Sequence, residues 1–273
     1  MRNIKLIIEY DGSRYDGWQR LGKDSGKHTI QGKIEEVLGR MTGEPITIIG
    51  SGRTDAGVHA YAQVANFHTH SGMTCLEMKH YLNHYLPMDI GVLQVDEVGE
   101  RFHSRLNAVS KKYLYRIGIS EVPCVFDRKY TWHCPEELDI DRMRQAAAYF
   151  VGRHDFKAFS SVKKKGKSTV RAIYDIHISR DDKELRLIFH GNGFLYNMIR
   201  ILVGTLLSVS EGELSVSEIP EILAARNRIY AGRTVQPYGL YLHEIFYEDA
   251  AYRLPQGDAF FGSAVSGGER NGK

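Results

Sequence analysis

The segment Gly50–Ala60 places one carboxylate, that of Asp55, in a turn that contains three glycines. Apolar runs at 46–49 and 63–67 predict a strand on each side. A sharp turn between strands presents its side chains to a substrate, and Arg53 supplies a cation two residues from Asp55. Because a carboxylate beside a cation stays ionised at neutral pH, Asp55 is a candidate nucleophile. The alternative is that Asp55 only caps its turn, as most Asp residues in such turns do.

Two phosphate-binding motifs do not fit this turn. The glycines at 50, 52 and 57 lack the third glycine of G-x-G-x-x-G, and Asp55 stands in its place. A P-loop is also excluded, because no Lys followed by Ser or Thr comes after the turn. A carboxylate at that place argues against a cradle of backbone amides for phosphate.

Arg200 is a second candidate, because it is the one Asp, Glu, Lys or Arg between Arg186 and Glu211. The hydrophobic spacing predicts a helix over 194–209 that is apolar on most sides. A charge on a buried helix is costly without an anionic partner, and Asp55 is the candidate partner. The alternative is that Arg200 extends to the surface near the start of the helix.

Two tyrosines share one face of a predicted strand, since Tyr113, Tyr115 and Ile117 alternate. Alternating aromatic residues usually pack in a core. In a nucleoside site, however, an aromatic face can stack on an extruded base and a phenol can handle protons. Three other acids, Asp11, Asp16 and Asp155, fit turn or cap positions better than a catalytic role.

The elements that would position these residues alternate between helix and strand. The first half is predicted to contain strands at 5–10, 92–98 and 112–119, a helix capped by Thr29 and a helix over Cys75–Tyr85. The second half is predicted to contain helices at 139–152, 194–209 and 218–226 and strands at 172–179, 184–189 and 240–247. The similar rhythm predicts an α+β protein of two like halves, divided as 1–119 and 120–256. The Gly-, Ser- and Ala-rich tail at 257–273 is predicted to be disordered.

Composition sets broad limits. The 273 residues are 42% hydrophobic and 25% charged, as in ordinary globular proteins, and the formal charge of +3 permits an RNA partner without requiring one. The three cysteines form no C-x-x-C pair, which indicates a reducing cytoplasm and neither a disulfide framework nor a zinc site. His80 and His84 lack a Glu after His80 and a third ligand, so no metal is predicted. Neither a signal peptide nor a membrane span is expected.

Basic residues cluster in loops. One compact group comprises Lys163, Lys164, Lys165 and Lys167, with Arg171 just beyond it. Others are Lys111 and Lys112 before the tyrosine strand, and Lys23 and Lys27 in the first loop. Such runs are usually solvated loops, but here they alternate with glycine, which suits an arm that follows RNA phosphates.

The glycine turn resembles the R-T-D-x-G-V-H-A signature of the TruA family of tRNA pseudouridine synthases. Further blocks resemble that family in the same order along the chain, namely Tyr10-Asp11-Gly12 with Gly17-Trp18-Gln19, Lys112–Arg116, His154-Asp155-Phe156, Phe194–Arg200 and Gly239–Leu242. Together they extend from Tyr10 to about Tyr247.

The resemblance implies a function and roles. It implies isomerisation of uridine to pseudouridine without a cofactor or metal, in the anticodon stem-loop at tRNA positions 38–40, by a homodimer. It assigns the nucleophile to Asp55, its ion-pair partner to Arg200 and the substrate-stacking ring to Tyr113, leaving Tyr115 to the core. Arg53, Thr54, Leu240, the lysines at 163–165 and 167, and Arg171 are expected to contact substrate, although Leu240 fits the core equally. The implied fold is two α/β sandwich halves around a cleft, with a largely antiparallel sheet.

Several points stay open in the sequence. Attack by Asp55 at C1′ of the ribose or at C6 of the base is equally compatible with it. The loop at 20–28 is longer than the family pattern, which leaves open a paralogue that acts on another RNA. A non-catalytic RNA-binding module is a further alternative, as is a glycoside hydrolase, which would need a second poised carboxylate.

Overall fold

The computed structural model describes residues 1–20, 28–134, 137–161, 166 and 168–247. Ten strands form one sheet within these ranges, and they are β1 (Arg2–Tyr10), β2 (Ile49–Gly50), β3 (His59–Thr69), β4 (Ile90–Val98), β5 (Ala108–Gly118), β6 (Trp132–His133), β7 (Gly152–Asp155), β8 (Val170–Arg180), β9 (Glu184–Gly191) and β10 (Leu240–Tyr247). The five described α-helices are α1 (Ile30–Thr42), α2 (Cys75–Tyr85), α3 (Ile140–Ala148), α4 (Met198–Ser210) and α5 (Glu218–Ala225). None of these helices is long and apolar enough to cross a membrane.

The main strands follow the order β4–β1–β3–β10–β5–β9–β8–β7, while β2 pairs with β3 and β6 with β5. Only the β10–β3 and β5–β6 pairings among the described strands are parallel. The predicted α+β class with a mostly antiparallel sheet is therefore confirmed. The last described strand, β10, lies in the middle, between β3 and β5. The division of the chain at residue 119 stays a prediction, and the tail at 257–273 lies outside the described residues.

Helix boundaries follow the local sequence. The Thr29 side chain accepts a hydrogen bond from the Gly32 amide at the start of α1, and Thr74 forms a capping box with Glu77 at the start of α2. The amphipathic helices bury their apolar faces, so α2 packs against α1 and β4, and α3 against α4 and β8.

Three predicted elements are shorter than expected. Helix α3 was predicted to extend to residue 152 but ends at Ala148, and the chain enters β7 at Gly152. Helix α4 begins at Met198 rather than at residue 194, because Asn197 adopts a left-handed backbone conformation with φ of 60° and interrupts the helix. The strand expected at 46–49 is reduced to Ile49–Gly50. Its Ile48 amide donates instead to the Glu35 carboxylate of α1, at 3.1 Å, so it is not free for a strand ladder.

Candidate active site

The turn that carries Asp55 is fixed by β3. The Ser51 amide donates to the Val64 carbonyl at 2.8 Å, and the Gln63 amide group donates to the Gly52 carbonyl at 3.0 Å. Gly57 has φ of 77°, a left-handed conformation that glycine adopts without steric cost. These bonds hold the backbone before Asp55, and after it the Val58 amide donates to the Asp55 carbonyl at 3.1 Å, so the carboxylate has a defined position.

The N-terminal motif encloses the same turn. The Trp18 amide donates to the Thr54 carbonyl at 3.1 Å, and the hydroxyls of Tyr10 and Thr54 hydrogen-bond at 2.8 Å. Thr54 and Trp18 are buried. The structure thus directs the Thr54 hydroxyl toward Tyr10, and the expected substrate contact of Thr54 stays a prediction.

Arg200 extends from the first turn of α4 toward the carboxylate. Its Nη1 lies 3.9 Å from Asp55 Oδ2. The guanidinium is held by other acceptors, since Nε donates to the Val235 carbonyl at 2.7 Å and Nη1 to Asn197 Oδ1 at 3.0 Å. Arg200 therefore points toward Asp55 and does not extend to the surface. Arg53, the cation two residues from Asp55, is exposed.

The balance of effects on the Asp55 pKa differs from the sequence-based expectation. Burial raises the pKa of the Asp55 carboxyl above its usual value, and the Arg200 charge lowers it by less. A neighbouring cation was the only influence expected from the sequence, whereas loss of hydration is the larger effect on this pKa. Arg200 is the charge that opposes this effect.

Tyr113 lies on β5, opposite Phe189 of β9 and Leu242 of β10. Its ring contacts Phe194 edge-on, with centroids 5.3 Å apart and an interplanar angle of 80°. Burial and the negative charge of Asp55 raise the pKa of the Tyr113 phenol, so it stays protonated at neutral pH. Tyr113 can therefore donate a proton or hydrogen bond beside Asp55.

Tyr115 and Leu240 belong to the core. Tyr115 is fully buried and donates its hydroxyl hydrogen to the Gln236 carbonyl at 2.8 Å. Leu240 is buried directly opposite Tyr115 in the β5–β10 pair. This position suits the core alternative for Leu240, and its contact with substrate stays a prediction.

Of the expected RNA-contacting cations, Arg171 is described and the lysines at 163, 164, 165 and 167 lie outside the described residues. Arg171 is half-buried on β8. Its Nη1 donates to the carbonyls of Ser168 and Val170 at 3.1 and 2.6 Å, and burial lowers its pKa. These acceptors are neutral, so they leave the positive charge available to an anion.

Turn or cap positions were expected for all three competing acids, and the structure places two of them at caps. Asp11 accepts from the Ser13 amide at 2.8 Å, and Asp155 accepts from the Lys157 amide at 3.1 Å. Asp16 is exposed. Within the described ranges, no group of three or more His, Cys, Asp or Glu residues is placed to hold a metal ion.

The contacts of three residues that shape the site were not predicted, although Lys111 was expected among the basic residues that follow RNA. Asn197 holds Arg200, Gln63 holds the Asp55 turn, and Lys111 donates to the Ser51 carbonyl at 2.5 Å. Only Lys111 carried a usable signal, since it precedes Tyr113 by two residues and therefore shares its strand face.

A cavity of about 390 Å³ lies elsewhere, lined by residues that include Asp11, His59, Tyr61 and Arg116. Arg116 alternates with Tyr115 along β5, so the cavity opens on the other face of the sheet from Tyr113. It contains none of the three candidate catalytic residues.

The fold and the site together define an α+β enzyme in which a carboxylate on a strand-connecting turn meets an arginine from a distant helix, beside a buried tyrosine. A family model described as tRNA pseudouridine synthase matches residues 6–107 and 146–248. The chain belongs to this family.

Three relatives support the assignment. A tRNA pseudouridine synthase A of a Bacillus species is 50% identical over 245 residues, covering 90% of this chain and 99% of the relative. One from Acetivibrio thermocellus is 46% identical over 247 residues, covering 90% and 100%. A tRNA pseudouridine synthase A 2 from Bacillus anthracis is 46% identical over 245 residues, covering 90% and 99%. Among solved structures, a Cbf5–Nop10–Gar1 complex aligns with 89% of this chain and 50% of its own at 14% identity, with a TM-score of 0.40, which is too low to bear on the fold.

Proposed function

We propose that this chain isomerises uridine to pseudouridine in the anticodon stem-loop of tRNA, at positions 38–40, with the Asp55 carboxylate as nucleophile. The observation that carries the proposal is the approach of Arg200 to Asp55 at 3.9 Å, beside the protonated Tyr113. Activity on tRNA rests on the family and on relatives whose length this chain covers almost completely.

The reaction exchanges one bond for another. Asp55 attacks either C1′ of the ribose or C6 of the base, and the bond between N1 and C1′ breaks. The uracil turns while it stays bound and C5 forms the new bond to C1′. The bond between Asp55 and the nucleotide breaks and returns the free carboxylate, C5 loses its proton and N1 gains one. No atoms are gained or lost overall, so no cofactor is required.

Arg200 and Tyr113 have separate roles in this scheme. Arg200 opposes the rise in the Asp55 pKa that burial causes, and so keeps the nucleophile ionised. Tyr113 stacks against the extruded ring and helps to move the final proton. The phenol acts in its protonated form, since its pKa is raised.

The remaining assignments concern substrate and assembly. Arg53, which is exposed on the Asp55 turn, helps to displace the target base. Thr54, Leu240, Arg171 and the lysines at 163–165 and 167 complete the RNA contacts. The enzyme works as a cytoplasmic homodimer, with each protomer divided into halves near residue 119 and without a metal.

The decisive experiment replaces the nucleophile. Asp55→Asn removes the charge and keeps the shape, so this variant should fold, bind tRNA and form no pseudouridine. Asp16→Asn, at an exposed acid in the neighbouring glycine turn, is the matched control and should keep the parental rate.

Tritium release from tRNA that carries [5-³H]uridine measures turnover, and mapping of the product RNA gives the position. Pseudouridine formation by Asp55→Asn at the parental rate would refute the nucleophile. Free uracil in place of pseudouridine would indicate the glycoside hydrolase instead. Modification outside tRNA, seen by mapping total RNA from cells with and without the protein, would identify the paralogue.

A further inference from the structure

Lys111 is a half-buried cation at the base of the Asp55 turn, with one acceptor. Its Nζ donates to the Ser51 carbonyl at 2.5 Å. An ammonium group has three hydrogens to donate, so two remain after this bond. No carboxylate among the described residues forms an ion pair with Lys111, which leaves its charge uncompensated.

The adjacent lysine shows the opposite arrangement. Lys112 lies on the other face of β5, where its Nζ contacts Glu244 at 3.0 Å and lies 4.8 Å from the centre of the Phe246 ring. Its charge is therefore satisfied within the protein. The two neighbours have the same chemistry but different surroundings, so Lys112 is a matched reference for Lys111.

The surroundings of Lys111 are positive. Burial and the nearby Arg105 charge lower the pKa of Lys111 to about 8. Arg105 is itself exposed and immediately precedes β5. On the adjoining strands, Glu244 of β10 forms its ion pair with Lys112, and His190 of β9 forms a hydrogen bond with Ser110. Two neighbouring cations without a protein anion form a site that an external anion would stabilise.

Gly52 leaves this ammonium approachable. A Cβ atom on Gly52 would lie 3.1 Å from Lys111 Nζ and 3.8 Å from the Tyr113 hydroxyl. Gly52 is not among the glycines with positive φ, so its backbone conformation does not require glycine. A side chain at position 52 would instead crowd the ammonium, which glycine leaves uncovered on the side of the turn.

We propose that Lys111, flanked by Arg105, binds a backbone phosphate of the RNA next to the target uridine. The proposal deepens the proposed function and rests on it, because it places a second contact for the same RNA beside the nucleophile. The phosphate oxygens accept the two remaining hydrogens of the ammonium, which no side chain at position 52 covers. The contact positions the nucleotide without reading its base.

The first test measures affinity without turnover. An Asp55→Asn background binds a tRNA transcript, and Lys111→Met and Lys112→Met are each added to it. Lys111→Met should weaken binding about tenfold and reduce the slope of log K against log salt by about 0.7 to 0.9, the value of one phosphate contact. Lys112→Met should change neither quantity by a comparable amount. Equal effects of the two substitutions, or no change in the slope, would overturn the proposal.

The second test removes the phosphate charge instead. A stem-loop RNA with one neutral methylphosphonate beside the target uridine should bind the Asp55→Asn protein about tenfold more weakly than the unmodified RNA. In the Lys111→Met background the same replacement should have little further effect, because the partner is already gone. A full loss in both backgrounds, at each linkage flanking the uridine, would show that another residue binds the phosphate.

A third measurement separates this inference from the proposed function. Lys111→Met should keep the parental melting temperature within a few degrees, which distinguishes phosphate binding from a clamp on the Ser51 carbonyl. Absence of pseudouridine formation by the unaltered protein would refute the proposed function. Normal turnover by the unaltered protein, together with normal RNA affinity of Lys111→Met, would refute the phosphate site alone.

Discussion

Arg200 Nη1 stands 3.9 Å from Asp55 Oδ2, while Nε of the same guanidinium donates to the Val235 carbonyl at 2.7 Å. The arginine is thus oriented by a neutral acceptor and meets the carboxylate only loosely. A bidentate ion pair between the guanidinium and the carboxylate would occupy both carboxylate oxygens. The looser arrangement supplies positive charge to Asp55 and leaves its lone pairs available for a carbon atom of the nucleotide.

Replacement of Arg200 should shift the pH dependence of the reaction. In Arg200→Met the Asp55 pKa should rise further, because burial is then unopposed. The acidic limb of the pH–rate profile should move to higher pH, and the single-turnover rate at neutral pH should fall about 100-fold. Arg144→Met, at an exposed pair with Asp141, is the control. A slow variant whose profile keeps its parental shape would contradict the proposed effect on ionisation.

The two tyrosines of β5 should separate activity from stability. Tyr113→Phe keeps the ring and removes the phenol beside Asp55, so turnover should fall about 10- to 100-fold with little change in unfolding free energy. Tyr115→Phe removes the hydroxyl that donates to the Gln236 carbonyl, which should cost about 1 kcal/mol in urea unfolding and spare activity. A loss of activity in Tyr115→Phe together with a loss of stability in Tyr113→Phe would contradict the proposed role of Tyr113.

Asn197 should matter through both its backbone and its side chain. Asn197→Ala puts alanine, which tolerates left-handed backbone geometry less well than asparagine, at this position and removes the bonds to Arg200 and Ser161, at a cost of about 1–2 kcal/mol. Asn197→Gly tolerates the backbone and should be the more stable of the two variants. Both should lower the single-turnover rate. Parental activity in Asn197→Gly would show that Arg200 does not need Asn197 for its position.

His59 should make the protein sensitive to mild acid. Its Nδ1 accepts from the Gly12 amide at 3.0 Å, and Nε2 lies 3.1 Å from the carbonyls of Lys129 and Tyr238. Burial lowers the pKa of this histidine below its ordinary value of 6.5. Below that value the unfolded chain binds a proton that the folded protein does not, so stability falls as pH falls.

The unfolding free energy should therefore drop between pH 7 and 5.5, by up to about 1.4 kcal/mol per pH unit. His59→Gln should be less stable at pH 7 but should show a flatter dependence. His70→Gln, at an exposed histidine, should keep the parental slope. A slope in His59→Gln as steep as in the parent would place the acid sensitivity elsewhere.

Local patterns predicted much of the fold. The bounds of α2 and β10 agree with the sequence prediction, because capping residues and strand alternation act over a few neighbouring residues. The start of α4 was missed because the apolar spacing continues through residue 194, while the left-handed conformation of Asn197 depends on its contacts with Ser161 and Arg200. The short length of β2 was missed because the Ile48 amide donates to Glu35, which lies on another element, α1, instead of to a neighbouring strand.

The sequence predicted which residues form the candidate site, but it did not predict the effects that set their pKa values. The approach of Arg200 to Asp55 could be inferred because a lone charge in an apolar helix needs a partner. The net rise in the Asp55 pKa could not, since it depends on how much water the folded chain excludes. The sequence also did not predict that the charge of Lys111 is uncompensated. This depends on the folded structure, in which Glu244 contacts Lys112 and not Lys111.

Because β10 is the last described strand and lies in the middle of the sheet, the candidate site can form only late in translation of the chain. Strands β3 and β5 are joined only through β10, and Val235, just before it, pairs with Arg200. A ribosome must therefore translate almost the whole described chain before the two sides of the sheet can close. Until then, the nascent polypeptide exposes two open strand edges that invite aggregation. Arg200 gains its hydrogen bond to Val235 only when this last segment docks, so a translation product that ends earlier lacks the contact that orients the guanidinium toward Asp55.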